Sequence, residues 1–305
     1  MRTVRRKRAG VLAHVFLRRY LAPVHALPFL LSVVLAALVT PPLLAVLRRA
    51  GWTAPNYRGR RLPRPTGLVL AAGAPLTVAV LALAERGSGE DLLPPGAVEA
   101  VAFVSGVALL GLLDDVLGTG AEYPRGVRAH LAHTLGGRPS TGAIKALATA
   151  GLALALVAAP GSALAGPSFG DSATAVATLT LAPHVFNLLD LRPGRALKAF
   201  AVLGAGLALG ARDLDVAARL GVLLGPVLVL LPLDVRERGM LGDAGASAVG
   251  AIAGLWLELA LPSVGAALAV LALAAVAVYG ELRSITAVVE RNPLLRQLDS
   301  LGRCG

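Results

Sequence analysis

The sequence predicts an all-α, polytopic integral membrane protein, and three observations predict it. Mean hydropathy is +0.72 with 56% hydrophobic and only 15% charged residues, outside the range of soluble domains. Apolar runs of near-spanning length recur along the chain, and period-2 alternation is missing, which argues against a barrel. Basic residues collect in alternate loops, as they do on the cytoplasmic side of multi-pass proteins.

The elements follow in order. Residues 1–25 form a basic arm with Arg2, Arg5, Arg6, Lys7, Arg8, Arg18 and Arg19 and no acid. The next run, 26–47, is of spanning length and lacks a small-residue cleavage site, so it reads as a first membrane helix rather than a removed signal peptide. Charged or Gly/Pro-rich breaks then delimit spans near 66–84, 97–113, 143–160, 173–189, 196–211, 217–233, 244–260 and 264–280. That makes about nine helices, or ten if 9–25 adds an interfacial one that keeps the basic arm on the inner side. One transmembrane catalytic domain, 26–280, is expected, followed by a cytoplasmic tail, 281–305. Abundant Ala and Gly let such helices pack closely.

One set of loops carries Arg48, Arg49, Arg58, Arg60, Arg61 and Arg64, then Arg125, Arg128, Arg138 and Lys145, then Arg192, Arg195 and Lys198, then Arg236 and Arg238, and in the tail Arg283, Arg291, Arg296 and Arg303. The opposite loops offer Arg86, Arg212 and Arg219 beside several acids. The basic set is therefore assigned to the cytoplasm. This placement also accounts for the net charge of +11 without nucleic acid. Cys304 is the sole cysteine, so no intramolecular disulfide forms.

On this topology Asp114, Asp115, Asp190, Asp234 and Asp243 share one face, each near the end of an apolar segment where a charge is costly without a task. Asp114 and Asp115 end the run that begins near Ala97. A paired carboxylate at the lipid–water boundary suits a hard divalent cation or a base acting on a phosphate; the alternative is a helix cap. Asn187 and Asp190 are three apart and share a face if the helix continues through them. Pro193 and Gly194 then break it, and Arg192, Arg195 and Lys198 supply cations for phosphate, or simply fix orientation. Asp243 lies at a helix start among Gly242, Ala244, Gly245 and Ala246, small neighbours that admit a ligand; there too an N-cap is the alternative. His130 and His133 could share a helical face, and His184 reads equally well as structural.

Taken in order, Gly111-Leu112-Leu113-Asp114-Asp115, Thr141-Gly142-Ala143-Ile144-Lys145, Asn187-Leu188-Leu189-Asp190 and Gly242-Asp243-Ala244-Gly245-Ala246 resemble the polyprenyl-phosphate N-acetylhexosamine-1-phosphate transferases. Asn56-Tyr57-Arg58-Gly59 with Pro63 and Gly67 is similar to that family's first cytoplasmic loop, so the resemblance covers roughly 50–250. It implies transfer of a sugar 1-phosphate from a UDP-sugar to undecaprenyl phosphate with release of UMP, in the bacterial cytoplasmic membrane, with Mg²⁺ or Mn²⁺. Asp114 and Asp115 match the family's catalytic pair, Asp243 its metal ligand, and Lys145, Asn187 and Asp190 its substrate-side positions. Arg192, Arg195 and Lys198 are further candidate phosphate contacts. Homodimerisation is left open.

The sequence departs from the family in three places. Pro193 occupies the position of a second motif aspartate, His184 stands where an asparagine is usual, and 291–299 holds no histidine where the family has a cluster. Two other readings are a catalytically impaired relative that binds polyprenyl phosphate and scaffolds envelope assembly, and a transporter. The transporter reading requires charges near the bilayer midplane and an internal repeat, and neither is seen.

Overall fold

The computed structural model describes residues 23–118, 136, 140–211 and 214–303. The arm at 1–22, Arg125, Arg128, His130, His133, Arg138, Arg212 and Cys304 lie outside the described residues.

The described chain is helical apart from one small hairpin. It runs α1 (Pro23–Arg49), β1 (Thr53–Pro55), β2 (Arg61–Pro63), α2 (Leu68–Ser88), α3 (Ala97–Leu117), α4 (Thr141–Ala158), α5 (Phe169–Leu189), α6 (Arg195–Ala211), α7 (Asp215–Arg219), α8 (Gly221–Val235), α9 (Gly242–Ala260), α10 (Ser263–Leu282), α11 (Ile285–Arg291) and α12 (Pro293–Ser300). β1 and β2 are antiparallel, with Ala54 opposite Leu62.

Among the described residues six helices are long and apolar enough to cross a membrane: α1 over Ala26–Arg49, α2, α3, α4, α5 and α10. Three of the expected nine spans fall short of that description, each for a physical reason. α6 has 17 residues and α8 has 15, with Pro226 and Pro232 inside it. α9 is long enough, but its apolar surface is diluted by Gly, Ser247, Asp243 and Glu258. It can be so because protein, not lipid, surrounds it: apart from Asp243, every residue from Gly242 to Leu257 is buried.

α9 is thus the axis of the bundle, packed most extensively on α3 and α5 and also on α6. Small residues set these distances. A Cβ on Gly250 would lie 2.6 Å from the carbonyl oxygen of Ala182, so the backbones of α9 and α5 meet directly there. Between α5, α6 and α9 the rings of Phe186, Phe200 and Trp256 meet edge to face, with centroids 6.4 and 5.8 Å apart. α1 packs against α2 and α8 on the other flank.

The tail expected from 281 differs from a free extension. α10 continues to Leu282, and the two short helices after it fold back onto the residues that open α6.

Candidate active site

Ends of four helices and one loop meet at the site. α3 arrives still helical through Asp115, so the aspartate pair lies in the helix rather than after it. Gly111, one turn earlier, permits the approach: a Cβ there would sit 2.7 Å from the Cα of Ala244 and would overlap the carbonyl oxygen of Asp243. Ser140 caps α4 by accepting the Ala143 N–H at 3.2 Å, which starts the helix in time to carry Thr141 and Lys145 toward α3.

Asp115 is 4% exposed and its carboxylate is fully engaged. It accepts the backbone N–H groups of Asp243 and Ala244, each at 3.0 Å, and the Arg64 guanidinium at 2.8 Å. α9 has no side-chain cap of its own, because Leu241 precedes it. The cap comes instead from α3, and an anion at that terminus also favours the helix dipole.

Asp114 takes the Thr141 hydroxyl at 2.6 Å and the Lys145 ammonium at 2.9 Å. Lys145 also reaches Asp243 at 3.1 Å. The Asp243 carboxylate accepts further from the Asn187 amide at 3.1 Å and from Arg64 at 3.0 Å. Three carboxylates, two cations and one amide therefore form a closed polar network between α3, α4, α5 and α9. The structure brings Asp114, Asp115, Lys145, Asn187 and Asp243 together.

Beside this network opens a cavity of about 580 Å³, lined by Arg64, Asn187, Asp190, Arg192, Asp234 and Asp243 among others. That volume suits a small-molecule ligand. Asp190 ends α5. Burial first, and then the neighbouring Asp234, push its carboxyl well above the usual carboxylate range, while Arg64 pulls the other way. Such a group gains from any cation placed in the cavity. Asp234 is 2% exposed and accepts the Gly194 N–H at 2.7 Å, which ties the loop after α5 to the end of α8.

Arg192 lies on the cavity wall with its guanidinium 4.5 Å above the Tyr57 ring and 3.5 Å from Glu290. Arg195 and Lys198 go elsewhere. Arg195 is buried and grips Asp299 in bidentate fashion at 2.8 and 3.1 Å, with Thr286 at 2.9 Å. The Lys198 ammonium donates to the Asp299 carbonyl at 2.6 Å. These two cations hold the C-terminal helices and do not face the cavity network. His184 pairs with Glu281 of α10 at 3.7 Å.

Sequence reasoning missed Arg64 and Glu237. Arg64 bridges Asp115 and Asp243 and is fixed by its backbone: its N–H donates to Trp52, and on either side Met240 donates to Pro63 and Thr66 to Met240. The available signal was its place between Pro63 and Pro65, where a stiff backbone aims one side chain. Glu237, 1% exposed, accepts the Asn56 amide at 2.8 Å and faces Arg58 and Arg60 at 3.6 Å. It locks the hairpin tip over the cavity, yet nothing local in the sequence marks it.

Among the described residues no group of three or more His, Cys, Asp or Glu side chains is arranged to hold a metal ion. An all-protein cage is not the usual mode for Mg²⁺, which takes one or two carboxylates and completes its shell with water and substrate phosphate. Asp190, Asp234 and Asp243 are the carboxylates on the cavity wall. No protein-family model matches the chain, and no curated protein matches it.

Proposed function

We propose that this chain is a glycosyl-1-phosphate transferase that moves a sugar 1-phosphate from a UDP-sugar to undecaprenyl phosphate and releases UMP, initiating a lipid-linked cell-envelope precursor. The observation that carries the reading is the convergence of four separated motifs on one network, Asp114–Lys145–Asp243–Asn187 with Asp115 and Arg64, at the wall of the 580 Å³ cavity.

In this reading a phosphate oxygen of the lipid attacks the sugar-linked phosphorus of the donor. The new P–O bond forms as the bond to the bridging oxygen breaks, and UMP leaves with that oxygen. Arg64 and Lys145 stabilise the charge that gathers on the phosphoryl oxygens, since both present donors beside the cavity or its network. Asp114 holds Lys145 in place through its carboxylate. Asn187 orients Asp243. Asp115 fixes α9, and with it the position of Asp243. Mg²⁺, held by Asp243 and Asp190, would offset the charge of the donor diphosphate.

α6, α8 and α9 would complete nine spans inside the shell of six, and the network would face the cytoplasm of a bacterial cell. A second reading, a relative that binds the lipid phosphate without transfer, draws on Asp115 being consumed as a cap and on Pro193 in place of an aspartate.

The test is UMP release from a panel of UDP-sugars with undecaprenyl phosphate and Mg²⁺, wild type against Asp243→Asn. The proposal expects a lipid-linked product from at least one donor and its loss in the variant. Lipid binding with no product from any donor would select the second reading.

A further inference from the structure

The C-terminal helices carry a surface that the site does not use. In α12, Leu294, Leu295 and Leu298 with Leu301 recur at helical spacing, and they are 72, 41, 51 and 66% exposed. Arg296 and Ser300 occupy the opposite side of the helix, and Gln297 lies beside Leu301. Along the edge between the two, Asp299 is clamped by Arg195 and by Arg303, and the Lys198 ammonium holds its carbonyl. A four-residue leucine stripe on a helix so firmly held is not a disordered tail; it is a face that needs a cover.

What covers it follows from where it is tied. Only Arg283 and Ser284 separate the last residue of the spanning helix α10 from α11, so α11 and α12 lie where the chain leaves the membrane. The clamp joins α12 to Arg195, the first residue of α6, on the same side. Arg283, Arg291 and Arg296 are exposed around it. An amphipathic helix with a leucine face and flanking arginines, held at the end of a membrane span, suits the headgroup boundary of a bilayer containing anionic lipid.

We infer that α12 lies in the membrane interface with its leucine stripe in the acyl boundary, and that the segment from 285 to 303 is a lipid-supported strap across the site face. One consequence is positional. Glu290 on α11 pairs with Arg192 at the cavity rim, so the strap holds that arginine against Tyr57.

The experiment uses the full chain in nanodiscs loaded with one copy each, in a Cys304→Ser background, with single cysteines at Leu294, Leu298 or Ser300 carrying an environment-sensitive fluorophore. Acyl-brominated lipid is expected to quench the labels at 294 and 298 roughly twofold and to spare 300. Replacing neutral by anionic lipid is expected to deepen quenching at 298, and Arg291→Gln with Arg296→Gln to remove that increment. A label at 298 as open to a water-soluble quencher as one at 300 would overturn the inference. So would a label shielded from both quenchers, since another protein surface would then cover the stripe. All three positions are exposed, so the substitutions leave the fold intact.

Discussion

At the residue scale the site is a contest for carboxylate oxygens, and each substitution shows who holds what. Asp115→Asn retains size and loses the charge that faces Arg64 and two backbone donors. It is expected to lower stability by about 1.5–3 kcal/mol, the worth of hydrogen bonds to a charged group, read as a lower unfolding midpoint in detergent. Asp243→Asn is expected to leave that midpoint within about 1 kcal/mol of wild type, because its carboxylate is a quarter exposed, and to abolish transfer. Arg64→Lys keeps the charge but puts it on a differently shaped head without the planar guanidinium, so transfer is expected to fall about tenfold to a hundredfold while folding persists. Farther out, burial raises the Asp299 carboxyl, but hydrogen bonds from Arg195 and Arg303 hold it below the ordinary range. Its folded value is depressed, so the clamp contributes fully above the unfolded value of roughly 3.9 and is lost as pH falls through the lower folded value. Amide protection over 292–303, taken relative to the intrinsic exchange rate at each pH, is expected to fall in acid, and Asp299→Asn to show low protection at every pH.

At the element scale the governing fact is how closely α3 and α9 approach. Gly111→Ala introduces a methyl where the α9 backbone already is. It is expected to cost about 1–3 kcal/mol by overpacking and to eliminate turnover by withdrawing Asp114 and Asp115 together; a thermal melt beside the UMP assay checks both. The elements differ in how legible they were. α2, α3, α4, α5 and α10 are bounded by charges and by Gly/Pro breaks, and hydropathy finds them to within a few residues. The span at 244–260 matches α9 to within two residues as well, although a helix enclosed by other helices is free to be Gly- and Ser-rich, so its membrane signal fades while its packing role grows. In the same way the motifs revealed Asp114, Lys145, Asn187 and Asp243, whose partners are one another. Arg195 and Lys198 could not be told from phosphate ligands, because their partner, Asp299, lies about a hundred residues away with no local pattern to announce it.

At the scale of the whole molecule the bundle separates a polar end from an apolar body. Loops 50–67, 190–194 and 236–241 and the C-terminal strap gather at the polar end, where Glu237, Asp234 and Asp299 tie them together. If the basic loops face the cytoplasm, a reporter fused after Arg303 is expected to behave as cytoplasmic, and one inserted near Ser162 as external. Both on one side would require a different number of crossings between them. The capped start of α9 has a consequence for chemical traffic. An open helix terminus at a membrane surface would collect whatever small oxyanion is abundant in the surrounding solution. Because Asp115 already occupies that terminus as part of the protein, a dissolved oxyanion finds no vacancy at it.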